Sequence, residues 1–433
     1  MTTEMLKPPS AGADREDEAA GRPKLLFAAR RAPFPLITGA RIRSYQLLSG
    51  LARHFDTTFV TFEHAEGSSD GHISRHEMKQ KLPGIKVVSV PGTRGSKRWR
   101  QGRTLISRRS WEYGRYRLPA MRRTLEELVA SEQPQIVHFD DLALAQFGPL
   151  AAPVNVYSAH NVEYRILEGT QRTSHGLRRL FAQLERHKVA PLEREILRTM
   201  SLSLACSEID AAEMRTAGGR VTLCPNGAEP VDLLPTPIRA PGDPLRLLFV
   251  GSVSYRPNQQ GLEWFIGEVL PRLRDAGMDV ELEIVGAPGR SSLPAVPEVR
   301  VRGVVADLKP FYERAHATIV PVLYGSGTRL KVVEAMAYGR PVVATSIGAE
   351  GLPVNAGKEY FQADYPLAFS TALLTLADQL NDDRASLELM LARARAAVTP
   401  LFWPRIVADL VECYRAELQP QFAVPSQSPP VLG

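Results

Sequence analysis

Ala317 to Gly351 reads ATIVPVLYGSGTRLKVVEAMAYGRPVVATSIGAEG, and its punctuation divides it into strand, turn, helix and strand. Thr318 to Leu323 is an apolar run rich in β-branched residues, which suits a parallel strand buried on both faces. Gly325-Ser326-Gly327-Thr328 follows as a turn in which two glycines allow close approach of backbone to a ligand. Arg329 to Tyr338 carries helix formers without an internal breaker, and Gly339 and Pro341 end the helix before a second buried strand, Pro341 to Thr345. Unpaired N–H groups and the positive dipole end at the helix start make such a junction an anion site.

The residues around the turn narrow the anion. Gly325-x-Gly327 lacks the third glycine of a dinucleotide fingerprint, and no Gly-Lys-Ser/Thr follows to make a P-loop. A dinucleotide oxidoreductase also fails at Gly251, where one glycine stands in place of three. Glu334 lies six residues past Thr328, and helical side chains lean toward the N-terminus. A carboxylate so placed can accept hydrogen bonds from a ribose diol beyond a bound diphosphate, which points to a nucleotide-sugar site.

The chain has 433 residues, enough for two domains of about 200 residues each. Its 44% hydrophobic and 23% charged content is that of a globular protein, and no run of about 18 apolar residues predicts a spanning helix. Residues 1–22 and 421–433 read as disordered tails, the first without the apolar core of a signal peptide. Cys206, Cys224 and Cys413 are scattered and odd in number, as expected of reduced thiols in the cytoplasm. Net charge is +6, yet Arg94 to Arg117 alone carries +8, from nine cations and Glu112, with Trp99, Trp111, Tyr113 and Tyr116 among them. No nucleic-acid motif accompanies this charge, so nucleic acid is set aside. A solvated loop and a patch that docks on anionic membrane at the inner face both remain open.

Along the chain, Lys24 to Ala28 predicts a strand, Ile42 to Phe55 a helix with apolar spacing, and Asp56 to Phe62 a strand, which together open a βαβ unit. Asp140 and Asp141 end the strand Pro134 to Phe139. Adjacent carboxylates on an extended chain point to opposite sides, so they read as caps for a helix Leu142 to Phe147, and no metal site is expected. Val154 to Ser158 predicts a strand whose carboxyl end carries His160-Asn161-Val162-Glu163, where doubly wound sheets place ligands. Leu177 to Leu197 is a basic helical stretch expected to kink or break at Pro191. Pro230 to Pro244 is the expected linker.

GSGTRLKVVEAMAYGRPVVAT resembles the donor-site signature of group-1 glycosyltransferases, family four, which are retaining enzymes of GT-B fold. The resemblance runs from about residue 24 to 416 and is similar to bacterial exopolysaccharide sugar transferases. It implies an α/β protein of two Rossmann-like, doubly wound domains facing across a cleft. Residues 23–234, with a returning helix at about 401–420, would form the acceptor domain, and 235–400 the donor domain. It implies diphosphate binding by Gly325, Ser326, Gly327, Thr328, Arg329 and Leu330, ribose binding by Glu334, and base recognition near Val304. Phe249-x-Gly251-x-x-x-Tyr255-x-Pro257-Asn258 resembles the family's donor loop, making Gly251 and Asn258 donor residues. Arg256 and Lys331 are candidates to neutralise the leaving diphosphate. On the acceptor side the resemblance implies Gly39 and Arg43 near the reacting groups, with His160 touching the transferred sugar. Ser326 stands where the family often has a glutamate, which leaves a non-catalytic nucleotide-sugar sensor or partner subunit as the alternative. The expected partners are a nucleotide diphosphate sugar as co-substrate and a glycan, lipid-linked or small-molecule acceptor, with no cofactor.

Overall fold

Residues 21–36, 38–63, 75–92, 109–240, 242–289, 293–325 and 329–419 are described by the structure, a computed structural model. Most of both tails and residues 93–108 of the basic segment therefore lie outside the described residues, as do Ser326, Gly327 and Thr328 of the donor turn.

Strands β1 (Lys24–Ala29), β2 (Asp56–Glu63), β3 (Lys86–Pro91), β4 (Ile136–Phe139), β5 (Val154–Ser158), β6 (Leu202–Ala205) and β7 (Val221–Leu223) form one sheet. Their order is β3-β2-β1-β4-β5-β6-β7, and every pairing is parallel. Strands β8 (Leu245–Val250), β9 (Val280–Val285), β10 (Val299–Gly303), β11 (Ala317–Val320), β12 (Val342–Ala344) and β13 (Phe361–Gln362) form the second, ordered β10-β9-β8-β11-β12-β13 and also parallel. Each sheet reverses direction once, between β1 and β4 and between β8 and β11. At such a switch point the neighbouring loops diverge and leave a crevice beyond the strand ends.

Period two explains the layers. Along β1, Leu26 and Ala28 face one apolar cluster while Leu25, Phe27 and Ala29 face another, so helices cover both sides. Leu248 and its neighbours Leu247 and Phe249 split in the same way in β8. The last helix, Trp403–Leu418, belongs by packing to the first domain: Trp403, Ile406, Val407, Leu410, Val411 and Tyr414 join its core. Its partner is the helix Gly39–Leu51, where Gly50 leaves no room for a Cβ beside Val407.

The chain crosses between domains twice at one place. Ala228 N–H donates to Leu401 O (3.0 Å), and Trp403 N–H donates to Ala228 O (3.0 Å). Beyond Ala228 the linker is already fastened to the second domain, since Arg395 donates to Val231 O (2.8 Å) and Arg340 to Leu234 O (2.8 Å) and Pro235 O (2.7 Å).

Two local expectations change. The strand starting near Thr318 ends at Val320, because Pro321 has no N–H to continue the ladder. The helix Gly176–Thr199 is not broken at Pro191. Pro191 faces solvent, where water can replace the missing bond, while Val189, Glu193, Ile196 and Leu197 bury the opposite face and hold the helix through.

Candidate active site in the interdomain cleft

The first domain presents the ends of β1, β4 and β5. Arg30 and Arg31 follow β1, and Thr38 caps the 39–51 helix by accepting from Arg41 N–H (3.4 Å). A cavity of about 690 Å³ lies here, lined by Arg30, Arg31, Arg41, Asp140 and His160 and, from the other domain, by Ser252, Ser254 and Ala287.

Asp140 corrects its sequence reading. Only Asp141 caps the short helix Leu142–Ala145, its carboxylate accepting from Leu144 N–H (3.0 Å). Asp140 is 1% exposed and binds inward. It accepts from the Ser44 hydroxyl through Oδ2, while Oδ1 lies 3.2 Å from His160 Nε2 and 3.6 Å from His138 Nε2. His138 Nδ1 in turn meets the Tyr414 hydroxyl of the last helix (2.6 Å). Burial works to raise the Asp140 carboxyl, but the His160 and His138 imidazoles outweigh it and hold it well below the usual carboxylate range. Burial lowers His138, which keeps that ring neutral. The result is an ionised carboxylate aimed at His160 from behind.

Arg43 is also corrected. It is fully buried and donates to Pro225 O (3.1 Å) and Asn226 Oδ1 (3.2 Å). Its position toward the middle of the 39–51 helix turns it inward, so it anchors the Pro-Asn-Gly turn and does not face an acceptor. Gly39, at the helix start, does reach the cleft: a Cβ there would stand 3.1 Å from Leu330 of the other domain.

In the second domain Gly251 ends β8 at φ +149°, a conformation that favours glycine. A Cβ there would stand 2.9 Å from Lys331 Nζ, so the glycine makes room for the ammonium. Lys331 donates to Asn258 Oδ1 (2.9 Å), and Asn258 donates to Ser252 O (2.8 Å). The ammonium also lies 3.9 Å from the Phe249 ring centroid. Burial, and then Arg329, push Lys331 well below the ordinary lysine range. Asn258 thus positions Lys331, and both its polar ends are engaged.

Among the described residues the 330–337 helix starts without a side-chain cap, its Val332 N–H donates to Arg329 O (2.9 Å), and Gly325 lies against the Arg329 guanidinium. One turn further, Glu334 accepts from the Tyr312 hydroxyl (3.0 Å), and burial raises its carboxyl to about 7. Tyr312 stacks on Tyr338 at 4.4 Å between centroids, which fixes the phenol. Val304 follows β10 and is 60% exposed. Arg256 opens the helix Arg256–Trp264 on the surface and acts on Tyr324. The structure therefore gathers Gly251, Asn258, Lys331 and Gly39 with Leu330, places His160 across the cavity, and withdraws Arg43. Asp140 is the residue that sequence reasoning missed, and the proximity of Ser44, His138 and Tyr414 arises only from folding. Among the described residues no group of three or more His, Cys, Asp or Glu side chains is arranged to hold a metal ion.

Two doubly wound domains that meet at their strand ends define the GT-B class. Residues 37–231 match the family described as Glycosyltransferase Family 4, and residues 244–379 match Glycosyl transferases group 1. The chain belongs to these group 1, family 4 glycosyltransferases. Among solved structures it is similar to sucrose-phosphate synthase from Thermosynechococcus elongatus, at 18% identity over 91% of this chain and 99% of that one, TM-score 0.65. It is also similar to HepE from Anabaena in complex with UDP and glucose, at 15% identity over 91% and 100% of the chains, TM-score 0.60. A curated relative, an uncharacterized 44.6 kDa protein in the cps region of Klebsiella pneumoniae, is 28% identical over 146 residues. That match spans 31% of this chain and 38% of the relative's length.

Proposed function

We propose that the protein moves a hexosyl group from a nucleotide diphosphate sugar to a glycan, lipid-linked or small-molecule acceptor with retention of configuration, at the cytoplasmic side. The carrying observation is Lys331, a half-buried side chain whose amino group donates to the neutral Asn258 amide at the first turn of the 330–337 helix. Burial and Arg329 lower the pKa of this amine, an anion bound beside it would favour its charged form, and a diphosphate is the anion a helix start favours. HepE, which shares the fold, has been crystallised with UDP and with UDP-glucose, and this supports the class of donor.

In this reading the acceptor hydroxyl attacks the anomeric carbon from the face that the diphosphate leaves. The carbon–oxygen bond to the diphosphate breaks, and the hydroxyl proton passes to a diphosphate oxygen. Lys331, Arg256 and the amides of the 330–337 helix stabilise the growing negative charge without a resident cofactor. Glu334 receives the ribose hydroxyls, Val304 lies near the base, and His160, oriented by Asp140, faces the transferred sugar. Donor binding is tested by thermal unfolding against a panel of nucleotide sugars. A donor at about a hundred times its Kd adds about 2.7 kcal/mol. An unmoved melting curve with every nucleotide would overturn the donor site, and donor binding without transfer or hydrolysis would turn the reading into a sensor.

A further inference from the structure

The helix Gly176–Thr199 carries an apolar stripe that none of the described residues covers. Leu177 is 85% exposed, Leu180 52%, Phe181 37% and Leu184 37%. Their spacing puts all four on one helical face, while Ala182, Glu185 and Val189 face the core. Single exposed leucines are ordinary, but four in one row are a patch. Within residues 177–184 the exposed charges are of one sign: Arg178 and Arg179 reach solvent, and the next acidic residue, Glu185, is buried and accepts from Ser110 Oγ and Trp111 N–H, both at 2.8 Å. Trp111 widens the patch, its ring edge-on to Phe181 at 6.2 Å with the Arg115 guanidinium 5.5 Å from its centroid.

The patch also has a place relative to the cleft. The helix Glu163–Thr173 begins three residues after His160 and returns as the 176–199 helix, so the hairpin springs from the cavity wall.

We propose that this face docks the protein on an anionic membrane, with Leu177, Leu180, Phe181 and Leu184 entering the acyl boundary and Arg178 and Arg179 meeting lipid phosphates. A lying amphipathic helix with arginines beside large apolar residues has this chemistry. No helix among the described residues is long and apolar enough to cross a bilayer, so contact is from the surface. A second copy is the weaker occupant: an isologous contact would bring the same arginines together with no exposed carboxylate on the stripe to meet them. The inference goes beyond the transfer reaction and stands apart from its donor site.

The test is co-sedimentation of the full chain with phosphatidylglycerol vesicles, with phosphatidylcholine vesicles as neutral control. The wild type binds the anionic vesicles, and high salt weakens the binding. Leu177→Glu/Leu180→Glu, at positions more than half exposed, keeps the melting temperature and any donor-induced shift but lowers vesicle affinity at least about tenfold. Arg178→Gln/Arg179→Gln lowers it severalfold at low salt. Unchanged binding by the leucine variant would remove this face from any membrane contact. An absence of wild-type binding, with a dimer in light scattering that the leucine variant dissolves, would replace the membrane by a second copy. Loss of the donor shift in the wild type would strike the donor reading alone.

Discussion

Lys331 shows how a single side chain can be poised for a ligand. Its ammonium is held by Asn258 at the spot Gly251 keeps clear, and its depressed basicity is the mark of a cation waiting for countercharge. Lys331→Ala is expected to cut turnover at least about tenfold, a cautious reading of what one charge-stabilising donor contributes; steady-state kinetics with saturating donor checks it. Asp140→Asn removes the charge behind His160 while keeping its shape. Transfer should fall at least about tenfold, with the donor-induced melting shift intact; a variant with full turnover would leave Asp140 as a purely structural group. Glu334 sets a pH dependence. Burial raises its carboxyl from 4.5 to about 7, so the neutral form prevails below that value and the carboxylate above it. Stability from the neutral form is fully present below pH 4.5 and is lost as pH rises through about 7. Donor affinity should therefore rise through pH 7 as the better acceptor forms, and Glu334→Gln should flatten the profile in titration calorimetry. That Lys331 and Glu334 stand on the helix after the glycine turn was legible, because their offsets from the turn are fixed. Asp140 was not, because its partners are far along the chain: Ser44 is 96 residues away, and Tyr414 is 276 residues from His138.

At the scale of elements, the parallel strands were legible from their unbroken apolar runs, and their ends were less so. The strand starting at Ala317 stops at Val320 since Pro321 cannot continue it, a local rule that competes with a continuing apolar pattern. The long helix 176–199 shows the reverse. A local rule predicts interruption at Pro191, yet burial of one face on either side carries the helix across. Pro191→Ala restores an N–H and a backbone bond at an exposed position, so it should stabilise the protein by about 1 kcal/mol or more. Urea unfolding reads this as a higher midpoint at unchanged slope; a lower midpoint would mean that the proline is needed for the helix's course. The apolar stripe on this helix escaped sequence reading because three-and-four spacing marks a core face and an exposed face alike.

For the whole molecule, two doubly wound domains were expected from the family resemblance and the Pro-rich linker, whereas the strand order within each sheet was not read from the sequence. The closeness of the two crossings at Ala228 and Phe402 was not, because it depends on where the last helix docks. That helix is part of the first domain's core. Leu410→Ala removes a buried side chain from it and should cost about 2–5 kcal/mol, seen as a lower unfolding midpoint. Donor affinity of the folded protein should be unchanged, as the second domain's core contains no residue of this helix.

The docking of the last helix also orders events during synthesis. A ribosome makes the chain from the N-terminus, and domains generally fold as they emerge. Here the first domain cannot close its core when its own strands are out, because Trp403, Ile406 and Leu410 have not yet been made. It must wait, with the underside of the 39–51 helix uncovered, while the whole second domain is translated and folds. The final helix then completes the first domain as a late clasp. A chain truncated before residue 403 and released should accordingly hold a finished donor domain and an unfinished acceptor domain, and a complete cleft needs the last helix.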